Sequence, residues 1–120
     1  MTDILTFAPP YSMLFISDPD LGETPEPSGR HIDWTDSCIS ISCRYYHEGD
    51  TTVTLGPLAE VARFETPVVD RVIATPTREV VVITAELEVA LRQRVATTRT
   101  RVRIWENHPS EPDDIVIGLG

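Results

Sequence analysis

Lysine is absent from this 120-residue chain, so all ten basic residues are arginines, set against 19 acids for a formal net charge of −9. That acidity repels phosphate backbones and argues against direct nucleic-acid binding. Cysteine is scarce too. Cys38 and Cys43 lie five apart on an expected strand, where side chains alternate faces, so they point apart and no disulfide framework is expected. Long hydrophobic runs are missing: none exceeds four residues, the length of Val80–Ile83, far short of the roughly 18 residues needed to cross a bilayer. The N-terminal stretch lacks the positive start of a signal peptide, so the chain reads as cytoplasmic and non-membrane.

Chemical signatures are equally sparse. There is no G-x-S-x-G, no P-loop and no G-x-G-x-x-G. His31, His47 and His108 fall in separate expected loops without ligand-spaced neighbours, so neither a metal nor another cofactor is expected. The stretch Asp18–Glu23 has some calcium-loop composition but lacks the further spaced oxygen donors and the terminal glutamate. The expectation is a protein that is not an enzyme.

What is present is strand patterning. The length suits one domain over 1–120. Tyr11–Ile16 reads as a first strand. Cys38–Tyr46 alternates as a half-buried strand, and with Thr51–Leu55 it is expected to form a hairpin across His47–Asp50. Val61–Phe64, Val68–Ala74 and Arg78–Thr84 are further strands separated by proline. Residues 85–96 fit both a helix (Leu87, Leu91, Val95) and a strand (Leu87, Val89, Leu91), and the spacing leans to helix. In Thr98–Glu106, Thr98, Thr100, Val102 and Ile104 share one face, and Arg99, Arg101, Arg103 and Trp105 the other, with Glu86 and Glu88 as expected partners for the arginines across a hairpin. Residues 113–119 form a final strand. The fold class is therefore all-β: an antiparallel β-sandwich of seven to eight short strands with at most one helix, at 85–96.

Charge is unevenly distributed. Residues 1–70 hold 12 acids and three arginines, a net −9, whereas residues 71–120 hold seven of each. Much of the excess falls on a proline-rich segment, 18–29, expected to be an exposed acidic loop. Directly after it comes Asp33–Trp34–Thr35–Asp36. A tryptophan between carboxylates is the composition of an interface anchor, and equally of a turn whose ring staples a loop to the sandwich. As an interface, Asp33, Trp34 and Asp36 would contact a basic protein, with Asp18, Asp20 and Glu23 as steering charges.

The strand Tyr11–Ile16 with its proline-containing loop, the run Ile32–Asp36, and Arg101–Trp105 followed by proline, acids and a last apolar strand together make the chain resemble the competence protein J family. These are small proteins that bind and inhibit a DNA-entry nuclease. The resemblance spans most of the chain in order. It implies a β-sandwich, a hairpin rather than a helix at 85–96, and a nuclease as the partner. A rival reading is a structural β-sandwich without a nuclease partner, forming a homo-oligomer through an edge strand or the Trp105 face.

Overall fold

The structure is a computed structural model that describes residues 1–20, 23–26 and 28–120. Ten strands form two five-stranded sheets. The first sheet holds β1 (Asp3–Phe7), β5 (Thr51–Pro57), β10 (Asp114–Leu119), β9 (Arg99–Glu106) and β6 (Val69–Ala74), in that spatial order. The second holds β3 (Ile32–Trp34), β4 (Cys38–Ser42), β2 (Met13–Ser17), β7 (Glu79–Thr84) and β8 (Val89–Arg94). Alternate residues of each strand point between the sheets. Leu14, Ile16, Ile39, Ile41, Val80 and Val82 from one sheet meet Val53, Leu55, Val102, Ile104, Ile115 and Ile117 from the other in a shared core.

Several expectations need correction. Among the described residues the strand count is ten, because short strands at Asp3–Phe7 and Ile32–Trp34 complete the two edges. One pair, β5 with β10, is parallel. Segment 85–96 is not helical: residues 85–88 turn, with Leu87 at φ 63°, and β8 returns along β7 with Leu91 facing inward. Pairing with β7 and burial of Leu91 outweigh the helical spacing, because that spacing offers β7 no backbone partner. The segment Val61–Phe64 is not a strand either. Residues Leu58–Val61 form the short helix α1, which crosses the outer face of the first sheet over Gly118, where an added Cβ would lie 2.9 Å from Leu58 Cδ1.

The expected hairpin between residues 38–46 and 51–55 does not exist. The chain leaves β4 at Ser42, and Cys43 N–H donates to Ser12 O at 2.9 Å and Arg44 N–H to Pro112 O at 2.8 Å. A 3-10 turn at Tyr46–Glu48 then carries it into the opposite sheet. Nor is β4 half-buried. It runs between β3 and β2, and even Ser40 on its outward side is buried.

Candidate functional site

The run Asp33–Asp36 lies where the two sheets meet. β3 and β6 are the edge strands on that side, and Ala74 N–H at the end of β6 donates to Asp36 O at 2.8 Å. Asp33 is partly buried and its carboxylate accepts from Ser28 Oγ, which lies 2.7 and 2.9 Å from its two oxygens. Thr35 N–H donates to Cys38 O at 2.8 Å, closing a turn, while Thr35 Oγ1 donates to Glu23 O at 2.6 Å. Glu23 N–H in turn reaches Ser37 Oγ at 3.1 Å. The described part of the acidic segment is thereby stitched to the same turn.

Trp34 is 44% exposed. The guanidinium of Arg71, on β6, lies 4.2 Å from its ring centroid. Such a cation–π contact at an exposed site contributes about 0.5–1 kcal/mol. It also shows that this ring is placed to receive a guanidinium. Asp36, Asp20 and Glu23 are exposed, and among the described residues none of Asp20, Glu23, Asp33 and Asp36 is in an ion pair. From Asp18 to Asp36 the chain carries six acids against Arg30.

Asp18 departs from its expected place in an exposed loop. It is 1% exposed. Its Oδ2 accepts from Thr77 N–H at 2.9 Å and from Thr77 Oγ1 at 2.7 Å, and its Oδ1 accepts from Asp20 N–H at 2.8 Å. It fastens the end of β2 to the turn before β7. Asp20, Glu23 and Glu26 do lie at the surface, whereas residues 21, 22 and 27 of the expected loop lie outside the described residues.

The arginine face of β9 is also arranged differently from expectation. β9 pairs with β6 and β10, so its partner is Asp70 rather than Glu86 or Glu88. Arg101 grips Asp70 with Nε–Oδ1 at 2.8 Å and Nη2–Oδ2 at 2.7 Å, and Arg103 Nε lies 3.8 Å from the same carboxylate. The hydrogen bonds from Arg101 hold the Asp70 carboxyl below its ordinary range, and the same contact raises the Arg101 guanidinium. At the end of that face Trp105 is buried beneath Leu58 and Val61, and its Nε1 donates to Glu65 O at 2.7 Å. It is not free to form an oligomer contact.

The reactive side chains are occupied elsewhere. Burial pushes the Cys38 thiol up to about 12 and the Cys43 thiol up to about 11, so both favour the protonated form at neutral pH. His31 Nε2 lies 2.6 Å from Glu106 Oε2, and His108 Nδ1 accepts from Ser110 and Glu111 N–H groups at 3.2 and 3.0 Å within its own loop. Among the described residues no three metal-ligating side chains converge.

No protein-family model matches the sequence, and no curated protein does. The three-dimensional arrangement does find a counterpart: the crystal structure of ComJ, inhibitor of the DNA-degrading activity of NucA, from Bacillus subtilis. The superposition has a TM-score of 0.67 at 12% sequence identity and covers 98% of this chain and 93% of that one. The chain has the ComJ fold. The correspondence extends over both sheets of the ComJ-like sandwich, from the first edge strand to β10.

Within this ComJ-like frame, sequence reasoning missed the residues that hold the Trp34 edge together: Arg71, Ser28, Ser37 and the backbone of Ala74. Arg71 had one readable signal. In β6 it alternates with Asp70 and Val72 and so shares a face with Val69 and Ile73, where a long cation at a sheet edge needs an aromatic or acidic neighbour.

Proposed function

We propose that this protein is a non-catalytic inhibitor that binds a DNA-degrading nuclease, with the Trp34 edge as a contact surface. The observation carrying the proposal is the fold shared with ComJ, itself a nuclease inhibitor, over nearly the full length of both chains. The charge distribution supports it. A nuclease that holds DNA presents a cationic surface, and an acidic protein gains association rate from steering toward it. Asp20, Glu23, Asp33 and Asp36 supply that field around Trp34, while Asp18 keeps the acidic segment attached. Trp34 offers an aromatic surface to an arginine of the partner, as it already does to Arg71. No chemical step is asked of the inhibitor, which acts by occupying the surface where DNA would bind.

The test is a plasmid-cleavage assay with a DNA-degrading nuclease from the same genome. Addition of equimolar protein should suppress cleavage, and undiminished cleavage at tenfold molar excess of the inhibitor over every such nuclease would overturn the proposal.

A further inference from the structure

All three tyrosines of the chain stand at the end of the sandwich opposite Asp36. Tyr11 is 75% exposed, Tyr45 47% and Tyr46 38%, and among the described residues none of their hydroxyls is hydrogen-bonded. Tyr45 and Tyr46 have ring centroids 5.1 Å apart, and the His47 ring lies 4.0 Å from that of Tyr46. A second 3-10 turn, Pro10–Ser12, packs beside them, and Ser12 Oγ accepts from Tyr46 N–H at 3.1 Å. Tyr11 and Ser12 both adopt left-handed backbone, at φ 57° and 56°. Two consecutive non-glycine residues there cost about 1 kcal/mol or more each, and the surrounding sandwich holds them so that Tyr11 projects outward.

Next to this aromatic patch is an open cleft of about 340 Å³. Its walls include Arg44, Glu48, Glu111 and Asp113. Arg44 is bound to Asp113 at 3.2 Å, and Asn107 Nδ2 holds the other oxygen of Asp113 at 2.6 Å. Glu48 and Glu111 are exposed, and among the described residues their carboxylates have no partner. The cleft therefore has two uncommitted negative charges on its walls and a cluster of tilted, exposed aromatic rings at its side.

We infer that this tyrosine end is a second interaction surface, at which the cleft between Glu48 and Glu111 receives an arginine or lysine side chain of a basic protein while the exposed rings of Tyr45 and Tyr46 meet the partner beside it. The charge identifies the occupant as a cation, and clustered, exposed aromatics beside it are what an interface anchor requires. The inference rests on the reading of the partner as a basic protein. Geometry allows one partner to touch both surfaces. β4 starts beside Asp36 and ends just before Arg44, and five strand residues span only about 17 Å, within the width of a standard interface.

The experiment separates this inference from the inhibitor reading by using a probe as well as a nuclease. Titration of the ¹⁵N-labelled protein with tetra-arginine at low ionic strength should shift the amide signals of Tyr45, Tyr46, Glu48 and Glu111. Glu48→Gln with Glu111→Gln should weaken that binding about tenfold, and Tyr46→Ala should weaken it where Tyr46→Phe does not. Shifts confined to the Trp34 edge, no shifts at all, or an unchanged affinity in the double glutamine variant would overturn the inference. In the cleavage assay, wild-type inhibition that survives intact in Tyr45→Ala/Tyr46→Ala would overturn it while leaving the inhibitor reading in place. Failure of the wild type to inhibit would remove the inhibitor reading, and the tetra-arginine titration would still decide whether the cleft binds a cationic side chain.

Discussion

The two tryptophans of this chain end in opposite circumstances although each stands at or next to the end of a strand: Trp34 last in the edge strand β3, Trp105 last but one in the interior strand β9. Trp105 is 7% exposed beneath α1 and the loop after it, its indole N–H bonded to Glu65 O. Trp34 lies at the seam between the sheets, with Arg71 across its ring. The difference arises from what crosses each strand. Gly118 on β10 lets α1 press onto the face that Trp105 shares, whereas among the described residues β3 has no further strand beyond it. A large aromatic at a strand end thus becomes core or contact surface according to its neighbours rather than its own type.

Substitutions can break that comparison. Trp105→Ala should cost about 3 to 5 kcal/mol in urea unfolding, since it empties the small outer cluster of Val61, Val116 and Leu58. A loss no larger than that of Trp34→Ala would mean the two rings are equivalent after all. Asp18→Ala comes next, at about 1–3 kcal/mol, because it strands the Thr77 and Asp20 donors; if it slowed nuclease association and left unfolding unchanged, Asp18 would be a steering charge instead. Trp34→Ala should leave stability within about 1 kcal/mol but raise the dissociation rate from the nuclease about tenfold, read by surface binding kinetics.

Smaller effects sharpen the contrast. Asp33→Asn with Asp36→Asn should slow association a few-fold and flatten its salt dependence, leaving dissociation nearly unchanged. The Asp70–Arg101 pair is on the solvent side of the same sheet as Trp105, so Asp70→Asn should lower the thermal midpoint only slightly and less at high salt. Its pH dependence has a definite sign. The folded Asp70 carboxyl sits below its unfolded value of about 3.9, so the pair contributes above that pH and is lost as pH falls through the lowered folded value. The difference between wild type and Asp70→Asn, followed by thermal denaturation, should therefore shrink in acid.

Much of this architecture was legible because period-two patterning survives in the sequence. Thr98–Glu106 reads as one inward and one outward face, and Thr100, Val102 and Ile104 are indeed buried. Residues 85–96 read both ways because Leu87, Leu91 and Val95 fit the helical period while Leu87, Val89 and Leu91 fit the strand period, and a neighbour decided between them: β7 needed a backbone partner. The resemblance to competence protein J, carried by short scattered runs, implied the hairpin that the spacing argued against. The candidate site was only partly legible. Trp34 with its carboxylates stood out by composition, but Arg71 is 37 positions away and the tyrosine end draws on residues from both halves of the chain, so no local window contains either.

By itself the sequence determined an acidic chain of short alternating strands, because alternation and net charge are properties of residue types in order. Tertiary structure alone decided which charges remain available. It buried Asp18 against Thr77, closed Asp70 onto Arg101, and left Asp33, Asp36, Glu48 and Glu111 without ion pairs among the described residues. The physical reason is that a carboxylate's role depends on the donors within about 3 Å of it, and those donors come from strands that only the packing of two sheets brings together.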